Sequence, residues 1–180
     1  RFEGWHWFRT PAFAGRRKLV ASLGGTNSQF RIWNYETEKT ISEPDGDKHH
    51  QGRIMATAFE SNMETIITGD SSGKLVFWRV RDGKMKKSYQ LENASINSLF
   101  YMPHQKSILI GDLAGSLRIL NADKHNQKLK EITKIQLATS SAGESINGVI
   151  ADLSEDRILC WGHNRIWSID PKKNQITDTF

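Results

Sequence analysis

The sequence predicts an all-β chain of four-stranded antiparallel sheets stacked face to face, and three observations carry that prediction. One hairpin is written four times, over Leu23–Trp33, Thr68–Trp78, Ile110–Leu120 and, in degenerate form, Cys160–Trp167. Its closing positions, Trp33, Trp78, Leu120 and Trp167, are 45, 42 and 47 residues apart, and a near-fixed period in this range marks an array of similar supersecondary units. The third observation is the strand that closes the hairpin. In Lys74–Val80, Leu75 and Phe77 point to one face and Val76 and Trp78 to the other, and both pairs are apolar, so both faces need cover. A lone hairpin cannot supply that cover; a sheet held between two neighbours can, which is the arrangement of blades in a β-propeller.

The elements follow in order. The repeat divides the chain into approximate units 1–44, 50–91, 94–137 and 144–180, with a polar linker at 45–52. In the first unit, strands are expected at 18–23, 29–34 and 39–42, and a first strand within 4–13 that Pro11 interrupts. In the second, Ile54–Phe59, Thr65–Thr68, Lys74–Val80 and Met85–Leu91 read as strands, with Asp82-Gly83 marking the last hairpin. The third unit gives Ile96–Met102, Ser107–Ile110, Ser116–Asn121 and a strand within 128–137. The fourth gives Ile146–Leu153, Arg157–Cys160, Asn164–Ile169 and Gln175–Phe180. Fourth strands such as Met85-Lys86-Lys87-Ser88-Tyr89 mix charge with apolar residues, as suits an outer edge that must resist pairing with other chains. Where Val76 stands in the second copy, Arg31, Arg118 and Arg165 stand in the others; each is expected to pack its stem on a neighbour and hold its head at the rim.

Composition bounds the function classes. The 180 residues carry 25 Lys+Arg against 20 Asp+Glu, a formal charge of +5, which describes a mixed solvated surface better than a dedicated polyanion face. One cysteine, Cys160, excludes an internal disulfide framework and fits a reducing compartment. No apolar run approaches the ~20 residues that span a bilayer, so no membrane partner is expected. The opening Arg1-Phe2-Glu3-Gly4 and the strand-like close at Asp178-Thr179-Phe180 lead to the expectation of a piece of a longer polypeptide.

The candidate chemistry is sparse. Cys160 and His163 are half of a zinc pattern with no second half, and the six histidines are scattered. Asp70 and Asp112 recur with the repeat, which suits turn-organising carboxylates better than a catalytic pair. Gly24-Gly25 and Gly111-Asp112 precede no helix and are not phosphate cradles. Trp5 and Trp7, with His6 and Phe8, lie outside the clear repeat. They are either the first strand of the first unit or an aromatic partner-binding patch, since Trp is enriched at interaction hot spots. Lys86 and Lys87 are the basic candidates for contact with a partner, against the reading of an edge-protecting strand. No metal, cofactor or catalytic set is assigned.

With the Gly-Asp-x-x-Gly turn, the Trp that closes the third strand, the repeat length and the strand order, residues 18–180 resemble the WD40-repeat family. The resemblance implies about four repeats of a larger propeller, since family rings usually close with seven blades and sometimes six or eight; a small four-bladed ring is the alternative. The copies end Trp33-Asn34, Trp78-Arg79, Leu120-Asn121 and Trp167-Ser168 rather than Trp-Asp. The family's turn Asp, six residues before that Trp, is replaced by Asn27, Ser72, Ala114 and Trp161, and only His50 stands where the family has its His. The family's His–Asp–Ser/Thr–Trp hydrogen-bond network is therefore expected to be absent in its usual form. The resemblance further implies a non-enzymatic scaffold, intracellular and cytoplasmic, that binds other proteins of an assembly and the remaining blades of its own polypeptide. Ciliary or cytoskeletal assemblies are the first candidates. The alternative is a nucleic-acid-associated propeller using Lys84, Lys86, Lys87, Lys128, Lys130 and Lys134.

The register proposed for the second unit places Trp78 in the core. Replacing it with alanine is expected to cost on the order of 3–5 kcal/mol of unfolding free energy. Chemical denaturation checks this, and a loss under about 1 kcal/mol contradicts the register.

Overall fold

Each repeat folds as an antiparallel meander, because its short runs of β-branched and aromatic residues are punctuated by turn residues. The computed structural model describes residues 9–23, 29–121, 129–137 and 144–180. The chain divides into two units, Arg1–Asn93 and Ala94–Phe180, each holding two four-stranded sheets with strands in sequence order.

In the first unit, sheet one comprises β1 (Arg9–Ala14), β2 (Leu19–Leu23), β3 (Phe30–Asn34) and β4 (Lys39–Ser42). Sheet two comprises β5 (Ile54–Phe59), β6 (Thr65–Asp70), β7 (Lys74–Arg79) and β8 (Met85–Gln90). Pro11, expected to interrupt the first strand, lies inside β1. Among the described residues that strand pairs with β2 alone, and its register shifts between Arg9 and Ala12, so a residue without an N–H is tolerated there. The polar connection at 45–52 contains a single helical turn, α1 (Gly46–His49), capped by Asp45, whose Oδ1 accepts from the Lys48 N–H at 3.2 Å. The core joins Ala21, Phe30 and Ile32 of sheet one to Ile66, Val76 and Trp78 of sheet two. Phe30 meets Trp78 edge to face at 5.3 Å. On the opposite face of sheet two, Ile67, Leu75 and Phe77 are also fully buried, the two-sided burial that the apolar third strand requires.

The second unit repeats the plan. Sheet three comprises β9 (Ile96–Met102), β10 (Ser107–Asp112), β11 (Ser116–Asn121) and β12 (Lys130–Gln136). Sheet four comprises β13 (Gly148–Ala151), β14 (Ile158–Trp161), β15 (Ile166–Asp170) and β16 (Gln175–Thr179). Met102, Leu109 and Ile119 pack against Val149, Ile158, Cys160, Trp167 and Ile169. Burial among these side chains pushes the Cys160 thiol up to about 12, so it stays protonated at neutral pH. A polar clamp accompanies this core. Glu155, 2% exposed in the β13–β14 turn, accepts from the main-chain N–H groups of His104 at 2.9 Å and Gln105 at 2.8 Å. The Gln105 side chain donates back to the Glu155 carbonyl at 2.8 Å, so the first turns of sheets three and four are stapled together.

Two expectations are corrected by the register. Trp33, Trp78 and Leu120 each sit where pairing with the outer strand shifts, opposite Val20, Ile66 and Ile108 respectively. In sheet four that place belongs to Ile169, opposite Ile158, and not to Trp167. Trp167 lies two residues earlier, opposite Cys160, and because the side-chain period of a strand is two it still faces the core. The second correction concerns Arg118, expected to hold its head at the rim. It is 5% exposed, with Nε against the buried Asp112 carboxylate and Nη1 on Glu131 of the outer strand.

Candidate functional site

The polar centre of the first unit grows from the end of β6. That strand runs two residues beyond the Thr65–Thr68 expected from sequence, so Asp70 enters the strand end and its carboxylate is fully buried. Oδ1 accepts from the Ser72 N–H at 2.8 Å, the Ser72 hydroxyl at 2.7 Å and the Lys74 N–H at 2.9 Å. Oδ2 accepts from His50 Nδ1 at 2.8 Å and from the N–H groups of Gln51 at 3.3 Å and Gly52 at 3.2 Å. Burial alone pushes the Asp70 carboxyl up. The hydrogen bonds from His50, Ser72 and the Lys74 and Gly52 N–H groups outweigh it and hold the carboxyl well below the usual carboxylate range.

Beyond Asp70 the hydrogen bonds continue inward. An ionised carboxylate only accepts, so His50 Nδ1 carries its proton, a tautomer assigned from the network. Nε2 lies 2.7 Å from the Thr68 hydroxyl, and the Trp78 indole N–H donates to that same oxygen at 2.7 Å. The network, expected to be absent in its usual form, is present in sheet two in an altered one, with Asp70 filling the role assigned by spacing to Ser72. The reason is geometric. Gly73 adopts φ +86°, a left-handed turn open to glycine, which brings the Ser72 and Lys74 N–H groups round onto a carboxylate at the strand end.

The other sheets keep parts of this arrangement. Asp112 repeats the turn: Oδ1 accepts from the Ala114 N–H at 3.0 Å and the Ser116 N–H at 2.8 Å, with Gly115 at φ +78°. No histidine faces it among its described partners. Arg118, at the place of Val76, brings Nε to 3.4 Å from Asp112 Oδ2 and Nη1 to 3.0 Å from Glu131. In sheet one, Trp33 Nε1 turns to the Arg31 carbonyl at 3.2 Å. Asp70 and Asp112 are both buried and both tie down the turn that follows their strand, Asp70 with six donors and Asp112 with three. Among the described residues, no group of three or more His, Cys, Asp or Glu side chains is placed to hold a metal ion.

Surfaces offer the remaining candidates. Lys86 Nζ donates to Thr65 Oγ1 at 2.8 Å, and Lys87 Nζ lies 4.7 Å from the Phe77 ring centre, so both sequence-nominated lysines lean on their own sheet. Trp5 and Trp7 lie outside the described residues. Sequence reasoning missed the outer face of sheet four, where Trp161, Ile150 and Ile166 are exposed at 39%, 40% and 45%. A Cβ on Gly148 would fall 1.8 Å from the Trp161 ring, so the glycine is what lets that ring lie flat across β13. The alternation of Ile150, Leu159 and Trp161 with core residues was the available signal.

Comparison with known proteins adds the following. Residues 47–145 match the family described as eukaryotic translation initiation factor eIF2A. The chain is 31% identical over 93 residues to the anaphase-promoting complex subunit cdc20 of Dictyostelium discoideum, covering 46% of this chain and 18% of that protein. It is 28% identical over 71 residues to the WD repeat-containing protein srw1 of Schizosaccharomyces pombe, covering 39% of this chain and 12% of that protein. The chain therefore spans less than a fifth of the length of these curated relatives. Among solved structures, the β-propeller domain of Myceliophteria thermophila Cps50 (Swd1) matches 96% of this chain at a TM-score of 0.72 and 16% identity. The chain covers 54% of that domain's chain.

The buried carboxylate makes acid its specific stress. A group whose folded pKa is depressed contributes stability that is complete above its unfolded value, near 4, and is lost as pH falls below it. Asp70→Asn is expected to lower stability by about 1.5–3 kcal/mol at pH 7, with the gap to the unsubstituted protein closing as pH falls from about 4 towards 2. Urea midpoints across that range measure it; a gap that stays constant from pH 7 to pH 2 contradicts the assignment.

Proposed function

Because the chain belongs to the family of the eukaryotic translation initiation factor eIF2A, a WD-type β-propeller family, we propose that it is part of a non-catalytic propeller scaffold holding partner proteins in one assembly. The observation that carries this reading is the contrast between sheets two and four. Sheet two is buried on both faces, whereas sheet four buries one face in its core and leaves Ile150, Trp161 and Ile166 exposed on the other. Soluble proteins rarely leave such a contiguous apolar face uncovered, and the natural cover for a blade is another blade. The matched propeller domain, of which this chain covers 54%, extends beyond the part that this chain matches. A closed ring is a rigid platform whose rim turns display contacts, and a platform of this kind needs no catalytic set.

The scaffold reading is supported further by a relative whose name makes it a subunit of a complex. The family description makes translation-initiation complexes the first assembly to test, ahead of the ciliary and cytoskeletal ones. The lone buried thiol suits a cytoplasmic location. Crosslinking of the intact protein in its native lysate, read by mass spectrometry, is the test. The expected result is a small, reproducible set of crosslinked proteins that co-sediment with it. Sedimentation at the mass of the free protein, with intramolecular crosslinks alone, contradicts the scaffold reading.

A further inference from the structure

The first unit carries a groove on the rim opposite His50, between the turns of sheets one and two. Its cavity is about 410 Å³, within the range of clefts that accept one or two large side chains. Leu19, Ile41 and Val80 form an apolar floor, and Ile41 is 38% exposed. The floor is fixed in place. Val80 donates its N–H to the Glu64 carbonyl at 2.9 Å, and its carbonyl accepts the Ser42 hydroxyl at 2.7 Å.

Three guanidinium groups surround that floor, from Arg17, Arg79 and Arg81, against one lining carboxylate, Glu64. Arg17 Nη2 reaches Glu64 Oε1 at 3.1 Å, with both side chains about half exposed, so this pair is solvated and open to exchange. Arg79 is forked onto Asp82 through Nε at 2.9 Å and Nη2 at 2.7 Å, which holds its planar head at the groove edge. Arg81 Nε stands 3.9 Å from the same carboxylate with its side chain 77% exposed, a long, solvated pairing that a newcomer's carboxylate can displace. Counting Asp82, three cations meet two carboxylates, and the surplus positive charge borders an apolar slot.

We propose that this groove docks an acidic segment of a partner protein, one that inserts a large apolar side chain between carboxylates. The apolar side chain covers Ile41 and Leu19. A carboxylate on one side bridges Arg81, and one on the other competes with Glu64 for Arg17. The proposal rests on the scaffold reading and names one contact of it. Nucleic acid would supply the charge, but its bases stack best on aromatic rings, and this floor is aliphatic.

The test uses the intact protein and a fluorescein-labelled peptide, Glu-Asp-Leu-Phe-Glu-Asp, followed by fluorescence anisotropy. The expected result is saturable binding that weakens at least tenfold in the Arg17→Glu, Arg81→Glu double variant. It also weakens at least tenfold in Ile41→Ser, and when Leu-Phe in the peptide is replaced by Ala-Ala. All three substituted positions are solvent-accessible, and unchanged circular dichroism verifies that the variants fold. Absence of saturable binding overturns the proposal, as does binding indifferent to these changes or equal competition by a thymidine dodecamer. If the crosslinked partner set of the intact protein persists unaltered in the double variant while the peptide fails to bind, the scaffold reading stands and the groove assignment falls.

Discussion

Asp70 is a negative charge with no exposure to solvent, and the first unit is arranged around keeping it satisfied. An uncompensated buried carboxylate costs several kcal/mol, so its donors must be supplied from every side. They come from the β6–β7 turn through Ser72 and Lys74, and from the segment entering β5 through His50, Gln51 and Gly52. One side chain thus fixes the hairpin of sheet two to the connection that leads out of sheet one. His50 then passes the constraint to Thr68 and so to Trp78, whose ring packs edge to face against Phe30 of sheet one. Polar satisfaction and apolar packing meet in one indole: the N–H is held by the network and the ring fills the core.

The second unit solves the same problem with other residues. Ile110 stands at the place of Thr68 and Leu120 at that of Trp78, so no hydroxyl or indole remains for a histidine to join. The retained carboxylate, Asp112, still organises its turn, and Arg118 supplies the compensating charge from within the sheet, tied outward to Glu131. Inter-sheet registration passes to the opposite rim, where Glu155 holds two main-chain N–H groups of the neighbouring turn. The two units share a hydrogen-bonded turn and an apolar strand, and differ in which carboxylate ties one sheet to the next.

Much of the strand plan was legible because alternation and turn chemistry are local properties. Ile54–Phe59, Ile96–Met102 and Ser116–Asn121 begin and end where the residues place them. The failures share a physical cause, namely that spacing along a chain does not fix register across a turn. Ser72 sits at the family's distance from Trp78, but a longer β6 and the left-handed Gly73 put Asp70 where the donors converge. In sheet four Ile169, not Trp167, pairs with the first residue of β14 at the shift with the outer strand, so aligning on tryptophan slipped the repeat by two residues, an error invisible to core patterning because it preserves the face. Arg118 reads as a rim residue until Asp112 is known to be buried beside it. The rim groove was illegible for a similar reason: Arg17 and Arg81 come from two separate turns and Ile41 from the outer strand of sheet one.

The central claim is that the hydrogen-bonded chain from Asp70 through His50 and Thr68 ends on Trp78 and is sealed from water. Hydrogen exchange of the Trp78 indole N–H, followed by NMR, addresses it directly. The account predicts exchange as slow as that of the β6 and β7 amides, opened only by unfolding of the whole unit, with a second protected proton on His50 Nδ1. Exchange as fast as that of the exposed Trp161 indole, with the amides of β6 and β7 still protected, would contradict it.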